Sequence, residues 1–300
     1  MKHLNAAAPG FEGIIYPITN KVVFPLVMQD TSLCRKLIER IFPDRKVRDL
    51  RLHGDPLTLS TVYEKTIFTG VTTHGVRLDV LFEDADTWYD IEMQTGSREH
   101  IPKRSRYYHS LMDQAYLKTS QPYSQLNPQY VIFICTFDPK DTGRAVYRFQ
   151  MMESDSGLNL DDLSYTILLN TKASPDNTPE ELRGFFDYVN QLGIDSSDEL
   201  VSEIHDHVVG INNDEKWRYV IMTFDEYLDE RYEEGKVEGI AEGQAIGRAE
   251  GRAEGRTEGE AIGQIKTLIS FVKDGIISYE AALEKADSKE LFEQKYAEAK

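Results

Sequence analysis

The 300-residue chain holds only two cysteines, Cys34 and Cys135, far apart in sequence. That excludes a disulfide framework and a cysteine-rich zinc site. No window of about 18 apolar residues occurs, so no membrane span is expected. Met1 to Gly13 carry one lysine and a short alanine run without the apolar stretch of a secretion signal, and the expectation is a cytoplasmic protein. Neither a G-x-S-x-G elbow nor a P-loop is present, which removes two further enzyme classes. His205 and His207 stand two apart on an expected helix and cannot chelate one metal. Positive charge is the other scarcity: 34 Lys and Arg stand against 51 Asp and Glu, a net of −17. Affinity for DNA comes mainly from neutralising phosphates, so this balance argues against a nucleic-acid partner unless the cations are gathered in one place.

They are gathered. Thr95 to Gln150 carry eight Lys and Arg against four Asp and Glu, while the tail from Arg231 carries 11 against 15. The remaining composition, 40% hydrophobic and 28% charged, is that of a globular protein with a real core.

Along the chain, Tyr130 to Phe137 is an unbroken apolar run, as expected of a strand covered on both faces. Pro102 to Lys118 reads as a helix with proline in its first turn, and Leu33 to Phe42 as another. Ala145–Met151 and Tyr165–Asn170 are shorter strand candidates. Helices are expected at Pro179–Leu192, Asp198–Val208 and from Asp214 to about Gly235, then at Ile265–Lys273, Ser278–Lys285 and Ser288–Ala297. The domain boundaries that follow are an α/β core over residues 1–175 (with 1–19 poorly defined), a helical subdomain over 176–234, a glycine-repeat helix over 235–263 and a small helical unit over 264–300. Cys135, Trp88 and Trp217 read as core packing, and His109 as a surface histidine.

The segment Gly75 to Gln94 alternates with period two on either side of an acidic turn, the pattern of a β-hairpin. Val76, Leu78, Val80 and Phe82 share one face with Tyr89, Ile91 and Met93, leaving Arg77, Asp79, Leu81, Asp90, Glu92 and Gln94 on the other. A two-residue turn at Ala85-Asp86 sets Asp79 across from Glu92, with Cβ atoms about 5 Å apart. Two carboxylates that close require a shared proton or a cation, and a hard cation such as Mg²⁺ takes one or two carboxylates plus water and phosphate. Alternating acids also fit a solvated surface. Directly downstream come Arg98, Lys103, Arg104, Arg106, Tyr107 and Tyr108, a set suited to a phosphodiester backbone, although surface ion pairs and core packing use the same residues.

Taken in order, Lys65-Thr-Ile, Gly75-Val-Arg-Leu-Asp79, Tyr89-Asp-Ile-Glu-Met-Gln94, Pro102-Lys-Arg-Ser-Arg-Tyr-Tyr108 and Tyr130 to Pro139 resemble the PD-(D/E)xK nuclease superfamily. More narrowly they are similar to the bacterial Rpn recombination-promoting nuclease and transposase family, over about Val23 to Lys172. The resemblance implies a restriction-endonuclease-like αβββαβ core followed by a helical C-terminal region. It also implies Mg²⁺-dependent DNA endonuclease activity, with Mn²⁺ as a substitute, linked to recombination or mobile elements. By position, Asp79 and Glu92 hold the metal together with the Met93 backbone carbonyl, and Glu39 is an outer acid. Lys103, Arg104, Arg106 and Tyr107 contact DNA. Gln94 occupies the place of the superfamily's lysine. Lysine brings a fixed charge to the developing anion, whereas glutamine only orients water, so Lys103 or Arg104 becomes the candidate source of that charge.

From Gly235 to Gly263 glycine recurs every fourth residue, with Val237, Ala241, Ala245, Ala249, Ala253, Thr257 and Ala261 in a second register. On a helix this stripe drifts by about 40° per repeat and lets a second helix approach closely in a right-handed crossing. A homo-oligomer paired through this helix is one expectation; a plain helical or disordered spacer is the other. Similar repeats end many members of the same family. The competing view of the whole chain is a nuclease-like core of weak or lost activity that binds DNA and assembles through this tail.

Overall fold

The structure is a computed structural model, and it describes residues 9–52, 80–84, 86–96, 98–118 and 120–299. Asp79 and the motifs at Lys65–Ile67 and Gly75–Asp79 lie outside the described residues, as does Ala85 of the hairpin turn. The chain divides into two compact units, Met1–Glu226 and Tyr227–Lys300.

Among the described residues, the first unit is built on a six-stranded mixed sheet in the order β1-β2-β3-β4-β6-β5. Its strands are β1 (Arg51–Leu52), β2 (Val80–Asp84), β3 (Thr87–Gln94), β4 (Gln129–Cys135), β5 (Val146–Phe149) and β6 (Ser164–Asn170). β2 and β3 form the hairpin expected from the alternation, with Asp84 opposite Thr87 and Val80 opposite Ile91. β3, β4 and β6 run parallel, and β5 returns antiparallel at the edge. Every residue of β4 is buried, which is why its sequence is an uninterrupted apolar run.

Side-chain parity sorts the sheet into two packed faces. Val80, Phe82, Tyr89, Ile91, Ile132, Ile134, Ile167 and Leu169 belong to the larger core. That core also takes in helices α1 (Val23–Met28) and α2 (Thr31–Ile41). Leu81, Trp88, Val131, Phe133, Cys135 and Leu168 form the second core beneath α3 (Ile101–Tyr116), which contributes Ile101, Tyr108 and Met112. Pro102 sits in the first turn of α3, where its missing N–H costs no hydrogen bond. α1 was not evident in the sequence, because Val-Phe-Pro-Leu-Val-Met has no polar face and its helical period is invisible.

Helices α4 (Glu180–Val189) and α5 (Glu199–Asn213) supply Leu182, Phe185, Leu200, Val201, Ile204 and Val208 to the larger core, so they share the sheet's interior. Asp198 caps α5 by accepting from the Val201 amide at 3.1 Å, and Arg40 of α2 grips the same carboxylate with both terminal nitrogens at 2.7 and 2.6 Å. Burial pulls the Asp198 pKa upward, but Arg40 and the backbone amides outweigh it and hold the carboxyl below its ordinary value.

The last long helix, α6, spans Glu215–Lys273, and the unit boundary falls within it. It is one continuous helix that takes in the expected segment from Asp214 to about Gly235, the glycine-repeat helix over 235–263 and Ile265–Lys273. In the second unit its end packs with α7 (Tyr279–Lys285) and α8 (Lys289–Glu298) around Ile265, Ile269, Ala282, Ala286 and Phe292. Gly275, at φ +68, closes α6: its amide reaches Val272 at 3.2 Å and the Ile276 amide reaches Phe271 at 2.9 Å. Ser278 and Ser288 cap the two helices that follow. No helix among the described residues is long and apolar enough to cross a membrane.

Candidate active site

The hairpin alternation carries Trp88, Asp90, Glu92 and Gln94 to the face covered by α3. Asp90 is fully buried and Glu92 is 2% exposed. A carboxylate pair at that depth is not a solvated hairpin surface, which removes that reading of the segment. The sequence pattern marked Asp90 as sharing this face but assigned it no role. In the structure it lies between Leu81 of β2 and Val131 of β4.

α3 meets these acids with one arginine and one tyrosine, a helical turn apart. Arg104 Nη2 donates to Glu92 Oε2 at 2.9 Å, and Nη1 donates to Gln94 Oε1. The guanidinium also donates to the Tyr108 hydroxyl from Nη2 at 2.6 Å and from Nε at 3.1 Å. It lies over the rings of Tyr108 and Phe133, 5.2 and 5.6 Å from their centroids. Tyr108 itself donates to Glu92 Oε2 over 3.4 Å. Burial first, then the Glu92 charge, hold the Tyr108 hydroxyl protonated well above the usual phenol range. It therefore acts as a donor.

The residues that the sequence grouped as DNA contacts separate on this helix. Arg104 faces the sheet, half-buried, whereas Lys103, Arg106 and Tyr107 are exposed. Tyr108, which the sequence left between core and surface, is core. The Arg104–Tyr108 spacing of four residues was the available signal that both reach one target. Glu39 does not join this group. Its carboxylate accepts from the Val47 amide at 3.3 Å, on a helix whose buried side packs into the opposite core. His109 is half-buried where a surface position was expected: its Nε2 contacts Thr166 Oγ1 at 3.2 Å, and burial lowers its pKa. Cys135 is buried beneath α3, and burial pushes its thiol up to about 12, so it is inert.

Where the parallel strands β3 and β4 end, Gly96, Arg98, Phe137, Asp138 and Asp141 line a shallow depression. It sits next in the chain to Gln94, and Arg98 pairs with Asp141 at its rim. Open α/β sheets place ligands outside the carboxyl ends of their strands, and this depression has that position.

Among the described residues, no three His, Cys, Asp or Glu side chains gather as a metal set. Asp79, the second expected ligand, lies outside those residues. What the described site offers a divalent ion is the donor chemistry of Glu92, an almost fully buried carboxylate that already holds a cationic partner in Arg104.

Residues 57–192 match the family model described as PD-(D/E)XK nuclease family transposase. The matched segment takes in the hairpin, α3, the parallel strands and α4, and is similar to that family over a mixed α/β sheet. No curated protein and no solved structure matches the chain.

Proposed function

Starting from the match of residues 57–192 to the PD-(D/E)XK nuclease family transposase model, we propose that the chain is a divalent-metal-dependent DNA endonuclease hydrolysing phosphodiester bonds. The observation that carries this reading is the buried Glu92, held on one sheet face against a helix whose other cations point to solvent. The alternation of the sequence carries the expectation that Asp79 stands across from Glu92 in the hairpin. Asp79, Glu92 and the Met93 carbonyl are then the ligands of Mg²⁺ or Mn²⁺. Such an ion supplies a water of lowered pKa and neutralises charge on the phosphodiester.

The protein's own groups divide the remaining work. Gln94 orients a water by accepting and donating hydrogen bonds, without adding charge. Tyr108 keeps its proton and donates to Glu92, fixing that carboxylate's direction. Lys103, Arg106 and Tyr107 stand on the exposed side of α3, where they take the DNA backbone. Plasmid nicking in Mg²⁺ is the test. Asp79→Ala and Glu92→Ala each reduce nicking at least about 100-fold, and unchanged nicking in both discards the site.

The same proposal includes self-association through the glycine-repeat helix. Residues 229–260 of α6 are exposed along their whole length, Val237, Ile240 and Ile246 among them. A second copy of this helix is the occupant that the four-residue glycine register suits.

A further inference from the structure

We propose that Arg104 is the positioning residue that gives this site the positive charge its strand lacks at Gln94. The inference rests on the metal-dependent reading above and concerns how that site is completed. One guanidinium spans both strand residues, bonding Gln94 Oε1 through Nη1 and Glu92 Oε2 through Nη2 at 2.9 Å. A lysine at the strand position would put an ammonium beside the same glutamate; here the cation arrives from the neighbouring helix instead. Two aromatic rings and the Tyr108 hydroxyl fix its plane, so the fork is held before any substrate arrives. Glu92 is 2% exposed but Arg104 keeps 35%, which leaves its charge at the solvent boundary where a phosphodiester would approach. Lys103, the adjacent cation, lies on the exposed side of the helix.

Two opposite consequences follow. A fixed cation on Glu92 opposes a second cation there, so Arg104 weakens metal binding. The same charge favours the anion that builds up at phosphorus, so Arg104 strengthens cleavage. A residue serving only to hold the fold would not move these two quantities in opposite directions.

The experiment uses the full chain and two readouts: Mn²⁺ titration by calorimetry without DNA, and plasmid nicking in Mg²⁺. Arg104→Met is expected to tighten Mn²⁺ binding about tenfold and to lower nicking about 100-fold. Adding Gln94→Lys to Arg104→Met returns the charge to the strand, and nicking recovers at least about tenfold. Arg104→Met with wild-type nicking overturns the proposal, as does a loss that Gln94→Lys does not recover. If Arg104→Met does not fold, Arg104→Lys replaces it. That variant keeps the charge and retains measurable nicking, and Arg104→Lys as inactive as Glu92→Gln overturns the proposal. Equal Mn²⁺ binding by the wild type and Glu92→Gln instead removes the metal reading itself, and this proposal with it.

Discussion

Burial decides the chemistry of single side chains on the α3 face. A guanidinium and a phenol face Glu92, and Tyr108 stays protonated because it is buried beside that carboxylate. His109, one residue further, is pushed the other way: burial disfavours its charged form. A folded-state pKa below the unfolded value of about 6.5 means that the unfolded chain binds more protons as pH falls. The stability held with neutral His109 is therefore fully present above about pH 6.5 and is lost as pH drops through the folded value. Thermal unfolding followed between about pH 7 and 5 should show this slope, and His109→Asn should flatten it. An identical slope in the variant assigns the loss to other groups. At this scale the sequence was informative in part. Alternation put Glu92 and Gln94 on one face, and a run of basic and aromatic residues marked the helix above them. Which arginine turned inward was not legible, because the four residues Lys103 to Arg106 hold three cations and only the packing of Ile101, Tyr108 and Met112 sets the rotation of the helix.

Among the elements, those with strong period or unbroken apolarity were readable to within a few residues. β4, α3, α5 and the hairpin belong here, each with a local signal that agrees with its tertiary environment. α1 and the two-residue β1 lacked such a signal, since tertiary packing rather than pattern defines them. α6 is the instructive case. Glycine every fourth residue opposes helix by about 1 kcal/mol each, yet the register of small residues is kept and the helix runs through it for 59 residues. Beyond the helix's own neighbouring backbone, a methyl group at Gly243, Gly247, Gly251 or Gly255 would meet no atom within 4 Å, so alanine fits all four within one chain. Replacing the four by alanine should raise the intrinsic helicity measured by circular dichroism. Under the pairing proposal the same change removes the close approach, and the sizing-chromatography mass falls to that of one 34.3 kDa chain. An unchanged oligomeric mass would discard contact through the glycine stripe.

For the whole molecule, the scarcity of positive charge changes meaning once the cations are located. The net of −17 belongs to the chain, but the cations between Thr95 and Gln150 follow directly on the buried carboxylates. On α3, Arg104 turns inward to Glu92 while Lys103 and Arg106 remain on the exposed side. The rest of the sequence is acidic, so DNA held by this chain should be released readily as salt rises. A Glu92 that holds a metal and a Glu92 that serves only as half of a structural ion pair with Arg104 respond differently to Mn²⁺. A thermal-shift titration with Mn²⁺, on the wild type and Glu92→Gln side by side, separates them directly. The wild type should show a saturable rise in Tm that Glu92→Gln loses. The same rise in both proteins, or no rise in the wild type, would contradict it.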